Sequence, residues 1–304
     1  MFDVFENRLE LSGTLTTVTA LRISQGRSTE PIGSDLPVVK DSLGRPLIPG
    51  SSFKGALRSR LESFLRGIDI TFAANPANEA EWSITNTRLN GENGIKEEVE
   101  AELERRFPKK EQSVERLRQK DLLLTEAIID KTDLASRLFG SPWIASKFQV
   151  RDLTVLPDLW FGQYQERDGV SIDRDTETAS DGKLYDFQVV PAGTPFEFKA
   201  VVENAEDWER GLLMIGLYQF ENEMIPLGGG RSRGLGVVKL NLDEMMWVNP
   251  SNPQELIDYL RHLVEGRLQS YIKTPPQIEE LKRNWSRSLL NHLTQLSTGE
   301  KIHA

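Results

Sequence analysis

The sequence predicts an α+β fold, on three observations. Leu9, Leu11 and Leu15 alternate with Arg8, Glu10 and Thr14, the period of a half-buried strand over about 8–22. Phe196, Phe198, Ala200 and Val202 alternate with Glu197, Lys199 and Val201 just after Pro195, marking a second strand. Helical spacing of apolar residues runs through 52–66 and again through 205–223. A turn and then a strand fit RLFGSPWIASKFQVRDLTV (137–155), and VVKLNL (237–242) reads as another strand. The order is strand, helix, strand, then strand, helix, strand. That is a βαββαβ, ferredoxin-like (RRM-like) core carrying long insertions.

Taken in order, residues 24–50 are rich in Gly, Ser, Pro and Asp and read as a long loop with a short extended piece at Pro37–Lys40. Loops of that length in compact domains are often functional. The helix that follows puts Phe53, Ala56, Leu57, Leu61, Phe64 and Leu65 on one face, with Ser51 or Ser52 as a natural N-cap. Residues 75–94 read as loop, and the charged run after them as helix broken at Pro108. Those charges are expected to be a solvated face, so about 75–135 is an inserted surface segment. Residues 157–194 suggest a protruding hairpin. Helix 205–223 offers Trp208, Leu212, Ile215 and Phe220 to the core, and GGGRSRGLG (228–236) is a turn-rich loop. These elements make residues 1–250 one unit. Residues 251–304 form a helical C-terminal appendage, with two helices split by TPP at 274–276.

Composition narrows the function. The chain has 304 residues, 38% of them hydrophobic and 27% charged, as in ordinary globular proteins. No apolar run approaches the length of a membrane span, MFDVFENRLE is no secretory leader, and a prokaryotic cytoplasmic protein is expected. The absence of cysteine excludes disulfides and cysteine-ligated zinc. A net charge of −9 argues against a generic nucleic-acid binder. The distribution is more telling than the sum. Lys40, Arg45, Lys54, Arg58 and Arg60 stand against the single acid Asp41, and Arg231, Arg233 and Lys239 form a second basic island. Two such islands in an acidic chain suggest focused anion sites.

The stretch DLPVVKDSLGRPLIPGSSFKGALRSRL (35–61) concentrates the candidate chemistry. Ser51, Ser52, Lys54 and Arg58 sit at a helix start, where free backbone N–H groups favour an anion. Equally, Lys54 and Arg58 fit the solvated face of an amphipathic helix. In the second island Arg231 and Arg233 lie among Gly229, Gly230 and Gly234, which suits close approach to a phosphate backbone. The loop lacks the G-K-[ST] ending of a P-loop, which argues against nucleotide hydrolysis. An aspartate such as Asp35 in a Gly/Ser/Pro loop is more often a turn-former than a catalyst, and Asp41, before Ser42-Leu43-Gly44, reads as a turn residue. The only histidines are His262, His292 and His303, far from this stretch, so histidine acid–base chemistry is disfavoured. Most tryptophans read as core. Trp160, beside the hairpin, is also a candidate for touching RNA.

DLPVVKDSLGRPLIPGSSFKGALRSRLE, RLFGSPW and PLGGGRSRGLGVVKL together resemble the RAMP proteins of CRISPR systems, best the Cas-seven (Csm-three-like) backbone subunits of type III effector complexes. GVSIDRDTETASDGKLYDFQVVPAGTPFEF (169–198) is similar to the thumb of those subunits and the strand after it. The resemblance implies a ferredoxin-like palm with a thumb hairpin, and copies stacked along a guide RNA (crRNA) beside related RAMP and other type III subunits. It implies endonucleolytic cleavage of complementary target RNA at regular intervals, dependent on Mg²⁺ or Mn²⁺, with Asp35 as catalytic and metal-holding residue. Guide-RNA contacts fall on Lys40, Ser51, Ser52, Lys54, Arg58, Gly229, Gly230, Arg231, Arg233 and Gly234. Relatives often carry a cysteine-rich zinc insertion before L-F-G, whereas this chain reads DLASRLFG there, so no structural zinc is expected. A non-catalytic RNA-binding scaffold is the alternative, and a protein–protein adaptor a third reading.

Overall fold

The protein is described here from a computed structural model. It describes residues 4–24, 26, 35–107, 114–172 and 179–298, with backbone alone for 170–172 and 179–184. In chain order the elements begin with β1 (Arg8–Thr17), β2 (Leu47–Ile48), α1 (Gly50–Ile68), α2 (Asn86–Asn90), α3 (Ile95–Arg106), α4 (Val114–Lys131) and α5 (Leu134–Phe139). There follow β3 (Phe148–Val150), β4 (Leu153–Thr154), β5 (Gln165–Ile172), β6 (Ala179–Val189), β7 (Pro195–Glu203) and α6 (Asp207–Glu221). The remainder is β8 (Val238–Val248), α7 (Pro253–Glu265) and α8 (Pro275–Thr298).

Four strands form an antiparallel sheet in the order β3-β7-β1-β8. The expected alternation is realised: Leu9, Leu11 and Leu15 on β1, and Phe196, Phe198, Ala200 and Val202 on β7, are buried. β1 stops at Thr17, short of the expected end near residue 22. There the Thr17 N–H donates to the Thr194 carbonyl and its hydroxyl to the Pro191 carbonyl, and the chain leaves the ladder. β8 runs six residues past the expected end at Leu242.

α1 and α6 lie against the sheet. Phe53 of α1 stacks on Phe220 of α6 at 4.5 Å between centroids and tilts against Phe198 of β7 at 5.2 Å. Leu57, Leu61 and Leu65 complete the buried stripe at the helical spacing. Phe64 departs from it, being 42% exposed under the Arg60 guanidinium. At the start of α6 the buried Glu209 carboxylate closes a capping box with Glu206 and accepts from Lys147 Nζ at 2.8 Å. Burial raises the Glu209 pKa, with Lys147 opposing the shift.

Two regions differ from the sequence expectation. Residues 75–94, expected as loop, include the short helix α2, and α2, α3 and α4 build a satellite core of Ile84, Leu89, Ile95 and Val99. Their charges pair at the surface, Glu98 with Arg88 and Lys131, and Glu100 with Lys120 and the largely covered Arg116. The C-terminal helices likewise integrate. Trp285, Leu289 and Leu293 of α8 are buried in the main core, and Trp285 meets Trp247 of β8 edge-on. α8 and α6 come together at Gly211, where a Cβ would lie 2.1 Å from the Trp285 carbonyl oxygen.

Candidate nucleic-acid interface

The start of α1 is organised differently from the serine cap that was expected. Pro49 occupies the N-cap position and no side chain caps the helix from within. β2 pairs with β4, which brings the residue before β4, Asp152, to the helix start. Its carboxylate accepts the Gly50 N–H at 2.7 Å. A carboxylate therefore holds one of the donors that a phosphate would use. A side chain at residue 50 would also strike the Val150 carbonyl, 2.7 Å from the Cβ position. The glycine of I-P-G-S-S thus allows the helix to start against β3. Ser51 is exposed and Ser52 half-buried.

Lys54 and Arg58 are turned inward. Lys54 Nζ donates to Ser146 Oγ (2.6 Å) and the Phe148 carbonyl (3.1 Å). Loss of hydration, then the Arg58 charge, holds its pKa below the usual lysine value. Arg58 donates to Glu62 (2.6 Å), the Gly140 carbonyl (3.0 Å) and Ser136 Oγ (3.2 Å). Both tie α1 to the turn between α5 and β3.

The second island is arranged the other way. Gly228, Gly230, Gly234 and Gly236 all adopt left-handed backbone around a short 3-10 turn, Arg231–Arg233. Arg231 and Arg233 are exposed.

Residues 21–24 connect this loop to Asp35. The Gly229 N–H donates to the Arg22 carbonyl at 2.8 Å, and the Val39 N–H to the Ile23 carbonyl at 2.9 Å. Leu21 pairs with Val190 at the foot of the hairpin β5–β6. Leu36 pairs in parallel with Phe187 of β6, and the neighbouring Asp35 carboxylate accepts from the Asp186 N–H at 3.4 Å. A small apolar cluster of Ala20, Phe187, Val189 and Leu235, with Leu36 and Tyr185 against it, fastens the three pieces together. Asp35 thus sits at the hairpin foot, in the same assembly as the glycine loop.

Its surroundings are acidic. Asp168 lies directly across the ladder from Asp186, and Glu166 across from Gln188. The Asp186 pKa is raised, first by lost hydration, then by the hydrogen bond its protonated form gives to Asp168 and by the charges of Asp168, Asp35 and Glu166. The oxygen donors here suit a hard divalent cation. Among the described residues no three His, Asp or Glu converge to cage one.

Asp41 behaves as the turn residue it was read to be. It accepts from the Leu43 and Arg45 N–H groups and from Arg45 Nε at 2.8–2.9 Å. The Arg45 backbone bond leads in lowering its pKa. Lys40 Nζ lies 4.4 Å from the ring centre of Tyr164. The Tyr164 hydroxyl donates to the Gly44 carbonyl, and burial, then the Asp41 charge, pushes it up to about 12.

A protein-family model described as the RAMP superfamily matches residues 14–239, from inside β1 to the first residues of β8. The chain belongs to the RAMP superfamily. Over 241 residues it is 25% identical to the CRISPR system Cms endoribonuclease Csm3 of Enterococcus italicus, covering 79% of this chain and 92% of that one. Two shorter matches are to proteins of the same name. That of Mycobacterium tuberculosis is 42% identical over 71 residues, 23% of this chain and 30% of its own length. That of Methanocaldococcus jannaschii is 41% identical over 58 residues, 19% and 23% of the two lengths.

In this RAMP chain the structure adds residues that sequence reading passed over. Arg22 places its guanidinium 4.5 Å from the centre of the Phe187 ring while its carbonyl anchors the glycine loop. Asp168 and Asp186 become neighbours of Asp35 only through strand pairing. For Asp168 and Asp186 the sequence signal was the acid-rich hairpin itself. Arg22, between Leu21 and Ile23, carried none.

Proposed function

We propose that this chain is a backbone subunit of a type III CRISPR ribonucleoprotein that binds guide RNA and cleaves complementary target RNA through Asp35. The observation that carries the reading is the pairing of Leu36 with Phe187, which sets Asp35 at the foot of the hairpin beside the glycine loop. RAMP membership and similarity to proteins named Csm3 endoribonuclease support it. The sheet order β3-β7-β1-β8, with α1 and α6 as its crossovers, supports a ferredoxin-like palm over 1–250, and β5–β6 a thumb. Neighbouring copies or related RAMP subunits and other type III subunits complete the complex, in the prokaryotic cytoplasm.

Arg231 and Arg233 would neutralise guide phosphates that the exposed glycine backbone lets approach, with Ser51 and Ser52 as hydroxyl donors and Lys40 nearby. Lys54 and Arg58 would act behind them, holding α1 in place. Asp35 would face the target strand and hold Mg²⁺ or Mn²⁺ at the scissile phosphate. When bound, that ion supplies charge relief on the phosphate oxygens. The target's own 2′-hydroxyl loses its proton and attacks phosphorus. The bond to the 5′-oxygen breaks and that oxygen takes a proton, leaving a 2′,3′-cyclic phosphate and a 5′-hydroxyl.

The test is cleavage of labelled complementary RNA by the assembled complex with Mg²⁺. Asp35→Ala and Asp35→Asn should abolish cutting, about a hundredfold or more, while leaving guide and target binding unchanged. Undiminished cutting by Asp35→Ala would sink the catalytic role. The second reading is a non-catalytic RNA-binding scaffold in which Asp35 is structural, a role its bond from the Asp186 N–H would serve. It predicts no cutting by wild type either.

A further inference from the structure

The segment between β4 and β5 gathers its aromatic residues into one cluster of tilted rings. Trp160 packs against the main core, and its ring centroid lies 5.2 Å from those of both Phe161 and Tyr164, tilted by 35° and 56°. Lys40 Nζ covers Tyr164 and makes no ion pair among the described residues. The tier therefore runs Lys40, Tyr164, Trp160, Phe161. Its outer ring is open: Phe161 is 61% exposed, beside Leu159 at 62%. Two anchors hold it from beneath. Trp160 is bedded on the core, and the Tyr164 hydroxyl is bonded to Gly44. With its pKa pushed up to about 12, that phenol stays neutral and donating throughout the physiological range.

We infer that Phe161, backed by Trp160, Tyr164 and Lys40, is a stacking platform for an unpaired RNA base. The inference rests on the RNA-binding reading above and adds a contact to it. A base needs a flat, pre-ordered apolar face, and a cation at the other end of the cluster suits a phosphate further along the same strand. A lone exposed phenylalanine would supply only the first. Here Lys40 joins the tier to the extended strip that leads back to Asp35, whose residues 36, 38 and 40 each make bridges. Five extended residues span about 17 Å, so a single strand lying along the strip reaches both.

The test uses the full chain with an oligoadenylate carrying 2-aminopurine, whose fluorescence is quenched on stacking. Phe161→Ala and Phe161→Leu should each weaken binding roughly tenfold and relieve the quench, whereas Phe161→Trp should retain both. Because stacking is not ionic, the salt slope should be the same for all four proteins. Equal affinity of Phe161→Ala and wild type overturns the platform. So does wild-type behaviour of Phe161→Leu, which would mark a plain apolar contact suited to a protein partner. Coincident thermal melts establish that the variants are folded. RNA binding by wild type that is unaltered at Phe161 sinks only the platform. No RNA binding by wild type sinks the RNA-binding reading with it.

Discussion

The two basic islands look alike in sequence and behave oppositely in space. Lys54 and Arg58 follow a glycine and two serines at a helix start, yet their donors face Ser146, Phe148, Glu62, Gly140 and Ser136. Arg231 and Arg233 ride on a loop of left-handed glycines and stand exposed. The reason is what lies beneath each. α1 lies along the α5–β3 turn, whose free carbonyls and the nearly buried Glu62 need cationic donors. The glycine loop contributes only Leu235 to its apolar cluster, and its charged side chains remain in water. A basic side chain is available to an anion only where the fold has no prior use for it.

The contrast can be broken most sharply at Arg58. Arg58→Ala would leave the Glu62 carboxylate, 7% exposed, with Arg66 as its remaining cation, and the Gly140 carbonyl and Ser136 would lose their donor. A loss of about 2 kcal/mol is expected from the donors removed, read from urea unfolding curves. Next comes the double change of Arg231→Ala and Arg233→Ala, which should leave unfolding unaltered. Affinity for single-stranded RNA should fall, and the slope of log K against log salt should flatten by about 1.4, roughly 0.7 per lost phosphate contact. A melting shift there, or an unchanged slope, would erase the distinction.

Lys54 gives the smallest and most specific signal. Its pKa is depressed on folding, so between the folded value and the usual 10.5 the unfolded chain holds more protons. Its contribution is therefore fully present above 10.5 and is lost as pH falls through the folded value. Stability measured at rising alkaline pH should climb less in Lys54→Met than in wild type. Identical pH profiles would place Lys54 in open solvent.

What could be read from the sequence follows how far apart the interacting residues are. Alternation on β1 and β7 and the stripe Phe53, Leu57, Leu61, Leu65 are local patterns, and they located the sheet and its first helix. Asp41 was legible because its partners are two to four residues away. The start of α1 was not, since Asp152 lies 102 residues on from the Gly50 N–H it accepts. The inward turn of Lys54 was hidden for the same reason, with Ser146 92 residues away. α8 shows a different blind spot. Trp285, Leu289 and Leu293 recur at helical spacing, but that pattern does not say which surface receives it. Asp35 was picked out by its motif context. Its acidic neighbours required the register of β5 against β6.

The close approach of α8 to α6 at Gly211 has a consequence for biosynthesis. More than fifty residues separate the end of α6 from the start of α8. At about 5–20 residues per second, several seconds pass on the ribosome while the groove on α6 that receives Trp285 stays open. Until α8 arrives, that apolar groove is open to any other chain or chaperone near the ribosome.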